Sequence, residues 1–136
     1  MDEEQIGLIR RSWSRMEANR TGLAERFYRR LFQLDPSLRD LFTVTDMGAQ
    51  NEKFVAMMQE IVETVHDPDR LLPLVADSGR RHRDYGVRAS DYHTVGEAFL
   101  WALEKGLPEP FDEETQGAWA AAYSLLASVM RDAASA

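Results

Sequence analysis

An all-α fold is predicted by three observations. Apolar residues recur at steps of three and four along the whole chain, no stretch shows strict alternation with β-branched residues, and helix-start and helix-stop residues fall between the periodic segments. Seven helices follow in order. The first covers about 3–18, with Ile6, Ile9, Trp13 and Met16 on one stripe. Thr21 stands as an N-cap for the second, whose apolar positions are Leu23, Phe27, Leu31 and Phe32. Asp35-Pro36, a cap followed by proline in the first turn, opens a short helix ending near Phe42. Residues 43–49 are turn-like. A long helix from about 48 to 65 carries Phe54, Met58, Ile61 and Val65 at steps of four, three and four. Asp67-Pro68 interrupts it, because the residue before proline resists helical dihedrals. The next helix runs from about 69 to 84 and stops at Gly86, suited to a left-handed cap. Ser90 is placed to cap a helix of 91–105, ended by Gly106, Pro108 and Pro110. Asp112 caps the last, about 113–132, with Trp119, Ala122, Leu126 and Val129 inward.

Length and composition narrow the chemistry. A chain of 136 residues forms one domain over 1–136 and buries roughly two-thirds of its unfolded surface, so it needs no staple. It contains no cysteine, which excludes disulfides, thiolate metal sites and cysteine nucleophiles. With 16 basic and 23 acidic residues the net charge is −7, which argues against nucleic acid or an anionic membrane as partner. The N-terminus opens acidic, without the apolar core of a leader. The longest uncharged stretch, Thr115 to Met130, has 16 residues and is too short and polar to span a bilayer. A soluble, cytoplasmic protein is expected.

Metal chemistry is left to carboxylates and to His66, His82 and His93. His82 continues the stripe Leu71, Val75, Ser78, with Gly79 beside it. A packed core imidazole and a metal ligand both fit that position. Small residues one turn earlier leave space for a flat group, and the Ser78 carbonyl is placed to accept the second imidazole N–H, which favours the ligand. His66 precedes Asp67-Pro68 and is expected to close a helix end at the last carbonyls. His93 lies off its helix's apolar stripe and should face solvent. No HExxH, paired-carboxylate spacing, Gly-rich phosphate loop or nucleophile elbow occurs.

The segments FYRRLFQLDPSLRDLF (27–42), GRRHRDYGV (79–87), DYHTVGEAFL (91–100) and AWAAAYSLLASVM (118–130) occur in that order. Together they make the chain resemble the bacterial single-domain globins and the haem domain of flavohaemoglobins over nearly its whole length. The resemblance implies about seven helices enclosing a haem b pocket. His82 would be the proximal iron ligand and Phe42 the ring wedging the porphyrin. Tyr28 and Gln50 would be the distal polar pair, the catalytic residues if the protein is an enzyme. Phe54 stands where many relatives carry leucine and would narrow the pocket. Arg81, Val87, Tyr92 and Tyr123 would also face the cofactor, with an arginine of the 80–83 run reaching a propionate. Met57 and Met58 are expected in the core.

The implied ligands are dioxygen, carbon monoxide and nitric oxide, held for binding, storage or scavenging. A nitric oxide dioxygenase fed by an external reductase, and a haem-free interaction or sensor module, are the alternatives. Tyr92 matches the tyrosine that supports the proximal histidine in flavohaemoglobins, but the matching glutamate position falls at Ala134. No flavin or nicotinamide domain is expected, so electrons for any redox cycle would be expected from another protein.

Overall fold

In the computed structural model, residues 1–107 and 111–135 are described. They form six α-helices: α1 (Glu3–Arg15), α2 (Arg20–Leu34), α3 (Met47–Thr64), α4 (Pro68–Asp84), α5 (Asp91–Gly106) and α6 (Glu113–Ser135). Two 3-10 segments, Glu17–Asn19 and Pro36–Phe42, complete the chain, and the described residues contain no strand. The predicted third helix is therefore present but wound as 3-10. Asp35 starts it by accepting the Ser37 amide at 3.0 Å, one residue beyond Pro36.

Several helix ends differ from the sequence expectation. The first helix stops at Arg15, and the Asn19 amide bonds the Met16 carbonyl at 2.8 Å in a tighter turn. Thr21 is not the cap of α2. That helix starts at Arg20, and the preceding Asn19 makes no side-chain cap; its side-chain NH2 donates across the molecule to the Gly106 carbonyl at 3.4 Å. Ser90 occupies the N-cap position of α5 without a capping bond. Asp91, 4% exposed, organises that corner instead by accepting the Arg88 amide at 2.9 Å. Pro108 and Pro110, expected to end α5, lie outside the described residues.

Other ends agree. Asp46 accepts the Gly48 amide at 3.0 Å and Asp112 the Thr115 amide at 2.7 Å, each satisfying donors that a helix start leaves unpaired. Gly86 has φ 100°, and the Gly86 and Val87 amides bond the Arg83 and His82 carbonyls, both at 3.0 Å. That pair of bonds is a Schellman cap.

The core gathers Ile9, Trp13, Leu23, Phe27, Leu31, Val62, Phe99, Leu103 and Trp119. Met58 is buried with them and Met57 half-buried, as are Leu126 and Val129. Buried polar groups pin helices across this core. The Trp119 indole donates to Ser12 Oγ at 2.8 Å, joining α6 to α1, and the Trp13 indole to Gln59 Oε1 at 2.8 Å, joining α1 to α3. Helix α4 lies against α6, and α2 against α5. The first contact requires Gly79, where a Cβ would stand 2.5 Å from the Met130 carbonyl oxygen.

Candidate haem site

Leu71, Val75, Ser78 and Gly79 seat α4 on the core, and the same stripe carries His82 to a half-buried position in the last turn of the helix. Its Nδ1 lies 2.7 Å from the Ser78 carbonyl oxygen and 3.3 Å from Ser78 Oγ. A carbonyl can only accept, so Nδ1 carries the proton and Nε2 keeps its lone pair. Burial lowers the imidazole's pKa, the Ser78 carbonyl opposes that, and Arg81 adds to it. Neutral imidazole with a fixed tautomer is the form that ligates metal. The Schellman bond holds the His82 carbonyl, so both ends of the residue are restrained.

The other two histidines are placed differently. His66 is exposed and does not close the helix end itself. The Arg10 guanidinium does so, donating to the Glu63 carbonyl at 3.3 Å and standing 2.7 Å from His66 Nδ1. His93 is exposed, as expected, 2.8 Å from Glu97.

Tyr28 on α2 and Gln50 in the first turn of α3 meet: the Gln50 amide donates to the Tyr28 hydroxyl at 2.9 Å. Tyr28 is 7% exposed and ringed by Phe27, Phe42, Phe54 and Phe32, with centroids at 4.9, 5.5, 5.9 and 6.3 Å. Burial raises its pKa against the opposing Gln50 bond, so the phenol is neutral and keeps a proton to donate. Phe54 stacks on Phe27 at 4.9 Å and 18°, filling the side of this cluster nearest Phe99.

The remaining predicted residues are more scattered. Val87 follows the Gly86 cap and is half-buried. Arg81 is exposed and paired with Asp77. Tyr92 is buried, with the Arg131 guanidinium 5.7 Å from its ring centroid. The Tyr123 hydroxyl donates to the Tyr92 carbonyl at 2.5 Å, and burial drives the Tyr123 pKa upward. The structure thus brings Tyr28, Gln50, Phe42 and Phe54 into one group, with His82 on a separate helix. Tyr85, whose ring centroid is 6.0 Å from that of His82, was missed by the sequence reading although it sits three residues on. Arg131 over Tyr92 had no local signal.

Among the described residues, no three His, Asp or Glu side chains group to hold a metal ion. A metal at His82 must therefore bring its other ligands, as a porphyrin does. One neutral imidazole, an aromatic wall and two amide or hydroxyl groups are a donor set that fits haem.

A sequence profile described as Globin matches residues 25–130. The chain belongs to the globin family. It is 31% identical over 132 residues to a flavohemoprotein of Bordetella parapertussis, covering 96% of this chain and 33% of that protein. The globin thus spans about a third of the length of the flavohaemoproteins it matches. A neuroglobin of Danio rerio is 29% identical over 143 residues, covering 96% of this chain and 90% of the relative. Among solved structures, a bacterial globin from Campylobacter jejuni superposes with a TM-score of 0.86 at 24% identity, covering 98% of this chain and 96% of that one. A hexacoordinated heme protein from an anhydrobiotic tardigrade gives 0.89 at 16% identity, covering 100% and 96%. These two structures establish likeness of fold.

Proposed function

We propose that this globin holds haem b through His82 Nε2 and reversibly binds dioxygen, with carbon monoxide and nitric oxide as competing ligands. The observation that carries the reading is the 2.9 Å bond from Gln50 to Tyr28 inside an aromatic cluster. Haem supplies an iron with one position open to a diatomic gas. The chain supplies everything that tunes that position. Gln50 gives a hydrogen to the Tyr28 oxygen, which orients the phenol and polarises its remaining O–H toward the gas. One such bond in an apolar pocket is worth about 1–3 kcal/mol, or roughly five- to 150-fold in ligand retention.

The proximal side has the complementary job. Ser78 fixes the His82 ring, Phe42 and Val87 are proposed to pack the macrocycle, and Tyr92 and Tyr123 to line the region behind it. Phe54 narrows the gas position. Arg81 is proposed for a propionate in exchange for Asp77, an exposed pair of small worth. The iron is proposed to stay five-coordinate without gas, because Gln50 rather than an imidazole stands at the distal position and His66 and His93 are exposed and partnered elsewhere. This differs from the tardigrade protein described as hexacoordinated. No helix among the described residues is long and apolar enough to cross a membrane, in keeping with a cytoplasmic role.

The likeness to flavohaemoproteins favours a second reading, oxidation of nitric oxide to nitrate with electrons from a separate reductase. Stopped-flow mixing with nitric oxide distinguishes the two: the enzyme turns over repeatedly when a reductase is present, whereas a binding protein reacts once.

An absorption spectrum after dithionite, then carbon monoxide, tests the primary reading. A Soret band that shifts with carbon monoxide is expected. His82→Ala should lose it, while His66→Ala and His93→Ala retain it. Absence of the band after reconstitution with haem defeats the proposal.

A further inference from the structure

Behind Tyr92, on the side of the molecule where the ends of α4 and α6 meet the loop before α5, lies a cavity of about 200 Å³. Arg83, Val87, Tyr92, Arg131, Ala134 and Ser135 line most of it, and none of its lining residues is acidic. In a chain of net charge −7, two arginines facing one cavity without a lining carboxylate are an unusual concentration of positive charge.

The donors at this cavity are unequally occupied. Arg83 uses one guanidinium nitrogen on the Ala134 carbonyl at 3.2 Å and another on Asp84 at 3.3 Å. Arg131 makes no ion pair or hydrogen bond among the described residues; its guanidinium lies over the Tyr92 ring. Tyr92 is 6% exposed as a whole; its hydroxyl makes no hydrogen bond within the described residues, the bond from Tyr123 going to its carbonyl, and it is not sealed from water. Burial keeps that phenol protonated, so it offers a donor.

We propose that this cavity is a binding site for a small carboxylate or comparable oxyanion, held by the Arg131 guanidinium and the Tyr92 hydroxyl. Arginine recognises planar oxyanions through paired N–H groups, and the phenol supplies a third hydrogen from the cavity wall. The volume admits an anion of acetate to nitrate size with its water. Because the lining comes from the end of α4, the following loop, α5 and α6, an occupant ties together the elements behind His82. The proposal does not depend on haem.

Isothermal titration of the full chain with sodium acetate, and separately with sodium nitrate, tests this at constant ionic strength maintained with sodium chloride. A saturable, millimolar, one-to-one interaction is expected. Arg131→Gln should weaken it at least about tenfold and Tyr92→Phe by a smaller factor, with Arg29→Gln as an exposed control that changes nothing. Melting curves establish that each variant folds. The visible spectrum of the haem-loaded protein is followed in parallel, because these anions can also reach iron. Heats that persist in Arg131→Gln while the Soret band shifts mean iron ligation and overturn the site. So does absence of saturable heat with both anions in the wild-type chain.

Discussion

At the scale of single residues, the proposed gas position depends on one hydrogen bond and one packing constraint. Replacing Tyr28 with Phe removes the O–H but keeps the ring among Phe27, Phe42 and Phe54. Dioxygen dissociation should accelerate at least about tenfold, measured by flash photolysis or stopped flow. An unchanged rate would assign the hydroxyl to core packing alone. Tyr28 and Gln50 were named together only through the resemblance to globins, since nothing local to either residue links positions 22 apart; their 2.9 Å hydrogen bond is a tertiary contact. Gly79 was legible only as a small residue near His82. That its Cα faces the Met130 backbone follows from where α6 lies, 51 positions along the chain. Gly79→Ala should therefore cost at least about 2 kcal/mol in urea unfolding, since two backbones must part. Gly117→Ala, where an added Cβ meets nothing within 4 Å, should be neutral or stabilising by about 0.5–1 kcal/mol.

At the scale of elements, the apolar period placed every helix, while the ends depended on partners too far along the chain to be read locally. Asn19 is spent on Gly106, and Asp91 rather than Ser90 orders the start of α5. By contrast the Asp112 cap is local and was read correctly. The Thr115 backbone N–H holds its carboxyl below the ordinary range, assisted by the Thr115 side chain and Arg15, against a slight opposing effect of burial. A depressed carboxyl contributes stability that is present above its unfolded pKa and lost as pH falls through the folded one. Wild type should accordingly melt above Asp112→Asn at neutral pH. The two curves should converge on acidification below the ordinary carboxyl range. A difference that persisted at acid pH would show that charge plays no part in the cap.

For the molecule as a whole, a ligand that binds only the native state adds to its stability by mass action. Haem at about a thousand times its dissociation constant contributes roughly 4 kcal/mol, so its removal should lower the melting temperature by roughly 10–20 °C. Equal melting of the two forms would mean that the pocket does not exploit the cofactor. The sequence by itself determined the helical class, the family and the three imidazoles available, because periodicity and residue type are local properties. It also placed His82 on an inward stripe with Ser78 one turn behind. The tertiary structure decided which imidazole is half-buried, by packing α4 on α6 through Gly79. It also decided that Gln50 meets Tyr28, and that Arg131 crosses Tyr92 beside a cavity without acids. Each of those contacts joins residues 22 or more positions apart, and such pairing is set by how helices cross.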